Sequence, residues 1–168
     1  MDLLDIEILK LIQRKASMPL TELSRRIGIS KTPCWNRIRR LEEDGIITHR
    51  PTILDRNKLD LPIVVFLSIS VSRHSADWAE RFTSLVLKYD EIIEAHRLTG
   101  ASADYMLKIV AKSIEDYDKF QQILINKIEF TGMSSSVSLH EMKYNVSCLL
   151  YTSPSPRDQR GSRMPSSA

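Results

Sequence analysis

The first change of hydrophobic period along this sequence divides the chain into two domains. Up to residue 45, apolar residues recur every three or four positions, which is typical of amphipathic helices. From Leu67 to Ser72 they alternate with serines, which is typical of a strand with one buried face. The segment 57–62 lies between the two patterns and predicts a linker. We therefore predict a helical domain at 1–56 and a second domain at 63–145.

The first domain is predicted to contain three helices. Gly28 and Gly45 are placed to end the second and third helices, because glycine readily adopts the left-handed conformation of a helix terminus. Two helices joined by a short turn and preceded by a supporting helix make a helix-turn-helix. Residues 46–54 predict a short β-ribbon, or wing, in which Pro51 limits pairing to an edge. The buried stripes are expected at Leu4, Ile8, Leu11 and Ile12, then Leu20, Leu23 and Ile27, then Cys34, Ile38 and Leu41.

The second domain shows the order βαββαβ, the ferredoxin-like split motif, so the fold class is α+β. We expect its last strand to run from Gly132 to about Met142. Both helices should cover one face of the sheet. The other face is expected to carry apolar residues that invite a second copy and predict a homodimer, namely Val64, Phe66, Met106 and Val110.

Composition limits the remaining possibilities for this chain of 168 residues. It has no apolar run of the roughly 18 residues that a membrane span needs, and no secretory signal pattern. With only Cys34 and Cys148, a disulfide framework is not expected, and we predict a cytoplasmic protein. Residues 146–168 predict a disordered tail without function, and they also resemble a translated sequencing adaptor joined to a truncated gene.

The third helix carries the side chains that DNA recognition requires. Residues 1–56 contain 11 Lys and Arg against 8 Asp and Glu, and four of the cations fall within 31–40. Arginine reads guanine and asparagine reads adenine in the major groove, while a helix N-terminus attracts phosphate. The alternative is a solvated helix with i,i+4 pairs Arg39–Glu43 and Arg40–Asp44. The candidate DNA-binding residues are Lys31, Thr32, Trp35, Asn36, Arg37, Arg39 and Arg40, with backbone contacts from Arg25, Arg26, His49 and Arg50.

No catalytic or metal-binding pattern accompanies this helix. The histidines, His49, His74, His96 and His140, lack partners at metal-ligand spacing. The five glycines form no phosphate-binding loop, and the serine run 134–136 lacks the context of a nucleophile elbow. We therefore predict a protein that is not an enzyme and that needs neither metal nor cofactor.

The turn 99–105 is a candidate site for a small molecule. Gly100 and the small residues after it expose backbone groups suited to a carboxylate, and Asp104 is suited to an ammonium group, so an α-amino acid matches both. The alternative is an ordinary hairpin turn in which Asp104 stabilises its own backbone.

Several motifs resemble the Lrp/AsnC, or feast/famine, transcriptional regulators: Leu4-Asp5, Gly28-Ile29-Ser30, Thr32-Pro33-Cys34, the run 37–42 and Gly45-Ile46-Ile47. The resemblance covers about residues 2–145 and is closest to a bacterial subgroup that includes cysteine-responsive regulators. It implies dimers that assemble into octamers, with an amino-acid effector between C-terminal domains. It also implies a pocket lined by Gly100, Ala101, Asp104 and Tyr105, with Ser134 and Ser136 from a neighbouring protomer.

The resulting hypothesis is a nucleoid-associated, sequence-specific DNA-binding transcriptional regulator that is modulated by an amino acid. Two alternatives remain open from the sequence. One is an amino-acid-binding metabolic module or enzyme subunit, and the other is a constitutive architectural DNA binder without effector.

Overall fold

The computed structural model describes residues 1–72, 75–100, 103–145, 147–148 and 150. The chain forms two compact units. The first comprises Met1–Thr52 with the described residues from Tyr144 onward, and the second comprises Ile53–Lys143. Over the described ranges, no helix combines the length and apolar character that a membrane crossing needs.

The first unit contains three helices: α1 (Leu3–Ile12), α2 (Leu20–Ile27) and α3 (Lys31–Glu43). They pack through most of the predicted apolar stripes, with Ile8 and Cys34 fully buried and Leu23, Ile38 and Leu41 almost so. In α1 the core also includes Leu9, which was not predicted, and does not include Leu4. Burial raises the pKa of the Cys34 thiol, which agrees with a small core hydrophobe. The three-helix arrangement of a helix-turn-helix is thus present.

The glycines that were expected to end α2 and α3 do so. Gly28 has φ 79° and Gly45 has φ 69°, a left-handed conformation that costs other residues free energy. The turn after α3 is closed by backbone bonds, since the N–H of Ile46 donates to the carbonyl of Leu41 at 2.9 Å. These two turns set where the exposed face of α3 begins and ends.

The β-ribbon predicted for 46–54 is not formed. All nine residues are described and none lies in a strand. Pro51 has no N–H to donate, and no described segment pairs with its neighbours, so the apolar side chains stay exposed, Ile53 to 57% and Leu54 to 65%. A short 3-10 helix, Arg56–Leu59, falls at the predicted linker.

The second unit has the predicted βαββαβ order. Its elements are β1 (Ile63–Ser70), α4 (Ala76–Lys88), β2 (Ile92–Arg97), β3 (Tyr105–Ala111), α5 (Ile114–Lys127) and β4 (Gly132–Val137). The sheet order is β2-β3-β1-β4, and every neighbouring pair is antiparallel. This is the ferredoxin-like arrangement.

One face of the sheet carries the core, as expected. Trp78 and Phe82 of α4 stack at 4.9 Å between ring centroids, and Phe120 and Leu124 of α5 join the same cluster. On the opposite face Phe66 is 37% exposed and Met106 and Val110 are partly exposed. Val64 is buried within the single chain, so the open apolar face is narrower than the sequence predicted.

The last strand is shorter than predicted, because it ends at Val137 rather than near Met142. Its pairing with β1 runs out there, and the following N–H, of Ser138, donates to the carbonyl of Val64 at 2.8 Å. Of the predicted tail, residues 147, 148 and 150 are described. Cys148 donates its N–H to Gln13 and Leu150 packs against the helical core. The rest of the tail lies outside the described residues.

Candidate nucleic-acid interface and effector site

Helix α3 presents the side chains that were predicted to read DNA. Its apolar stripe faces the core, and the intervening positions face solvent. Trp35 is 49% exposed, which is unusual for a large aromatic ring in a small domain. The other exposed candidates are Lys31, Thr32, Asn36, Arg39 and Arg40.

The N-terminus of α3 is open. Ser30 occupies the N-cap position, but its side chain makes no capping hydrogen bond. The caps of α4 and α5, by contrast, are serines whose side chains accept a backbone N–H. The first N–H groups of α3 therefore keep their capacity to bind an external acceptor, and the helix dipole favours an anion there.

Two of the four cations of α3 are bound to acids of α1. Arg37 Nη1 lies 2.6 Å from Asp2 Oδ2 and 2.8 Å from Asp5 Oδ1. Arg40 Nη2 lies 2.6 Å from Asp5 Oδ2. The expected pair of Arg40 with Asp44 is replaced by this contact, and the positive charge of the α3 face is lower than its sequence indicates.

Arg37 lies deeper in this cluster than Arg40. Its side chain is 24% exposed, against 51% for Arg40. The backbone N–H of Asp5 and then the Arg37 guanidinium hold the pKa of Asp2 below its ordinary value. The bonds to Asp2 and Asp5 raise the pKa of Arg37 in turn. Arg37 thus links the flank of α3 to the start of α1, and its contact with DNA stays a prediction.

Three further cations of this surface form ion pairs with nearby acids. Arg39 pairs with Glu43 at 3.3 Å, with both side chains 65% exposed, so this part of the solvated-helix alternative is present. Arg26 pairs with Glu22 and Arg50 with Glu42. Such exposed pairs contribute little stability and exchange readily, which leaves these cations available to a polyanion.

Asp104, which was predicted to bind an ammonium group, is hydrogen-bonded to residues at the end of β1. Its Oδ2 accepts the N–H of Val71 at 2.8 Å, and its own N–H donates to the carbonyl of Ile69 at 2.8 Å. Its carbonyl accepts the N–H of Leu98. Asp104 thus fixes the β2–β3 turn against the end of β1, rather than only its own backbone.

The other predicted effector residues fall in different places. The ring of Tyr105 packs against Trp78 and Phe82, with centroids 5.3 and 4.7 Å away, and the residue is 8% exposed. The ring of Tyr105 thus lies in the core of its unit, and its contribution to an effector pocket stays a prediction. Gly100 is exposed with φ 154°, and Ala101 lies outside the described residues.

The start of β4 lies at the same end of the sheet as this turn. Thr131 donates its N–H to the carbonyl of Ser70 at 2.9 Å, and Ser70 lies between Ile69 and Val71, which bond Asp104. Ser134 pairs with Ser68 of β1, and Ser136 pairs with Phe66, so both serines are exposed beside the open face. A cleft of about 400 Å³ adjoins the start of β4, lined by Ile125, Ile128, Glu129, Phe130, Thr131, Gly132 and Met133.

Comparison with known proteins matches each of the two units to a known protein family. Residues 1–48 match the winged helix-turn-helix DNA-binding model, and residues 64–147 match the Lrp/AsnC ligand binding domain. The glutamate uptake regulatory protein of Zymomonas mobilis is 41% identical over 146 residues, which are 87% of this chain and 88% of that protein. This chain belongs to the Lrp/AsnC family of transcriptional regulators.

Solved structures agree with the Lrp/AsnC assignment. An AsnC family regulator from Agrobacterium tumefaciens has a TM-score of 0.85 and 37% identity, and covers 89% of this chain and 97% of its own. A Neisseria meningitidis regulator in complex with L-methionine has a TM-score of 0.84 and 29% identity, with coverages of 89% and 96%. The predicted family and α+β fold are confirmed.

The sequence analysis missed the acids that organise the Lrp/AsnC recognition helix. Asp2 and Asp5 form a capping box, each side chain accepting the other's backbone N–H at 2.9 Å. The spacing of an acid at the N-cap and another three residues later is a detectable signal. Their contacts with Arg37 and Arg40 span 32 to 35 positions and leave no local signal. No group of three or more metal-ligating side chains occurs in the described part of the chain.

Proposed function

We propose that this chain is a sequence-specific DNA-binding transcriptional regulator whose activity is tuned by an amino acid. The exposed face of α3 carries this proposal, because it combines Trp35, Asn36 and Arg39 with an uncapped helix N-terminus. A solvated helix has no need of a half-exposed tryptophan beside an asparagine at its start. The Lrp/AsnC ligand binding domain in the same chain supports the regulatory part.

On DNA, the first turn of α3 would receive a backbone phosphate through its open N–H groups. Asn36 and Arg39 would then reach base edges, as the residues near the start of a recognition helix do. Lys31 and Thr32 would contact the adjacent backbone. In a homodimer, two such helices would read half-sites about 34–36 Å apart.

The effector we propose is an α-amino acid bound near Gly100, Ala101 and Asp104, with Ser134 and Ser136 contributed by a neighbouring protomer. The Neisseria relative, crystallised with L-methionine, supports this chemical class. The Asp104 carboxyl group lies at the turn, where its Oδ2 accepts the N–H of Val71, and a carboxyl group is suited to an ammonium group. Residues 100–103 are glycine, alanine and serine, whose small side chains suit a binding site.

Binding of the effector would change the balance between the oligomeric states of the protein. A ligand shifts the balance between dimer and octamer geometries only by its different affinity for them. We place the protein in the cytoplasm, associated with the nucleoid. No catalytic step, metal or cofactor is part of the proposal.

The deciding experiment is selection of bound sequences from random DNA, with and without each of the common amino acids. The proposal predicts a pseudo-palindromic consensus, and affinity for it that falls steeply as salt rises. At least one amino acid should change that affinity and raise the melting temperature. If the bound DNA shows no enriched sequence, sequence-specific binding is excluded. If a sequence is enriched but no amino acid changes its affinity, the protein is a constitutive DNA binder.

A further inference from the structure

Asp2 and Asp5, at the start of α1, form an acid cluster that binds two arginines of α3. The two arginines differ in how much of each side chain remains exposed to solvent. Asp5 is completely buried, and its two oxygens accept from Arg37, Arg40 and the N–H of Asp2. Burying an ionised carboxylate is costly unless such partners surround it. The cluster of two acids and two guanidinium groups is therefore a specific, partly buried interaction and not an incidental ion pair at the surface.

The capping box alone does not account for the position of Asp5. A capping residue needs only backbone partners, and capping serines or aspartates elsewhere in this chain remain at the surface or partly exposed, as Ser75 and Ser113 do. Asp5 instead directs both carboxylate oxygens to guanidinium groups of α3. The buried position of Asp5 therefore lets it bind side chains of α3 in addition to capping α1.

Arg40 emerges from this cluster toward solvent. Its Nη2 is bound to Asp5 Oδ2, while 51% of its side chain is exposed. A guanidinium has five N–H donors in a fixed plane, so one bond to Asp5 orients the others. Arg40 is held from outside its own helix by Asp5, whereas the neighbouring Arg39 pairs with Glu43 of α3 itself.

We infer that Asp5 is a positioning residue for DNA binding: it fixes the Arg40 guanidinium as a preoriented ligand for a DNA backbone phosphate, whereas Arg37 ties α1 to α3. The inference rests on the proposed function of α3. Holding Arg40 in one orientation before binding removes rotamer entropy that a flexible arginine would lose on the DNA. Phosphate contacts of this kind set the register in which base contacts form.

The first test is a double-mutant cycle on the selected DNA site, with Asp5→Asn, Arg40→Gln and the combination. If Asp5 acts through Arg40, Asp5→Asn weakens binding about tenfold in the native background and much less when Arg40 is already replaced. A purely structural Asp5 gives the same fold-loss in both backgrounds, and that result would overturn the inference. Melting temperatures of all variants identify losses caused by unfolding.

The second test does not require a change at the buried position. Arg40→Gln should reduce the slope of log affinity against log salt by about 0.9, the value for one lost phosphate contact, whereas Arg37→Gln should leave the slope unchanged. Equal slopes for native protein and Arg40→Gln would contradict the inference. If the native protein itself shows no salt-sensitive DNA binding, the proposed function fails instead.

Discussion

At the scale of single residues, the arginines of α3 differ in side-chain exposure. We propose that the more exposed arginines contact DNA, whereas the less exposed Arg37 supports the helix. Arg39 pairs only with Glu43 of its own helix, at the surface, whereas Arg37 is bound by two acids of α1. Sequence periodicity could assign which residues of α3 face inward, and it did so for Cys34, Ile38 and Leu41. It could not distinguish Arg37 and Arg40 from Arg39, because the partners of Arg37 and Arg40 lie more than 30 positions away.

Arg39→Ala is expected to weaken binding to the selected site by about 1–3 kcal/mol, the usual value of one bidentate base contact, and to relax preference at one base pair. Gel-shift titrations on the consensus and on single-base variants measure both effects. The matched control is Arg81→Ala, which removes an exposed arginine paired with Asp77 on α4 at 3.1 Å. Similar losses for the two variants would refute base reading by Arg39.

Asp2→Asn is expected to flatten the acid dependence of helical-domain stability. The pKa of Asp2 in the folded chain is held below its ordinary value of 3.8. The unfolded chain therefore binds its proton first as pH falls, and the contribution of Asp2 is present above that value and lost below it. Asparagine still caps a helix but carries no charge. Urea unfolding at about pH 5 and about pH 3 should show the native protein and the variant converging at the lower pH.

At the scale of elements, local signals predicted where most helices and strands lie. Hydrophobic patterning predicted the order βαββαβ, and Gly28 and Gly45 marked the ends of α2 and α3. The ribbon at 46–54 and the length of β4 were wrong, because a strand needs a partner and alternation alone does not supply one. The bonds of Asp104 to Ile69 and Val71 depend on the sheet order, which sequence patterns do not encode.

The serine caps of the helices should differ in their contribution to stability. Ser113 Oγ accepts the N–H of Asp116 at 3.0 Å, so Ser113→Ala should cost about 1 kcal/mol. Ser30 holds the same position before α3 without a side-chain bond, and Ser30→Ala should cost clearly less. Thermal unfolding followed by circular dichroism compares them, and equal costs would mean that Ser30 caps α3 after all.

The β2–β3 turn gives a direct test of effector binding. Asp104→Asn keeps an oxygen for the N–H of Val71 but removes the charge proposed to meet an ammonium group. It should therefore weaken amino-acid binding measured by calorimetry while the melting temperature of the apoprotein changes little. Asp118→Asn removes an exposed acid of α5 and serves as the control. Unchanged affinity in Asp104→Asn would move the effector site away from this turn.

At the scale of the whole molecule, the two units have separate cores and carry the two halves of the proposed function. The net charge of +3 says little about DNA binding, because Asp2 and Asp5 offset two arginines of the recognition helix. The sheet of the second unit is covered by helices on one face only, and Phe66 is exposed on the other. That face remains the predicted site of dimer formation.

Phe66→Glu is expected to convert the protein from a dimer or larger assembly to a monomer. The substitution would bring like charges together across a two-fold axis and bury them, which is unfavourable. Sedimentation velocity measures the mass. Leu87→Glu is the control, since Leu87 is 81% exposed on α4 and outside that face. An unchanged assembly in Phe66→Glu would exclude the open face as the interface.

The chain has two tryptophans, and each unit holds one of them. Trp35 is half exposed on α3, while Trp78 is buried and donates its Nε1–H to the carbonyl of Glu129 at 2.9 Å. Their fluorescence should therefore differ in emission wavelength and in access to soluble quenchers. Trp35→Phe would leave a reporter of the ligand-binding unit alone, and Trp78→Phe a reporter of the DNA-binding surface. The native protein thus carries its own optical labels for following DNA and effector binding separately.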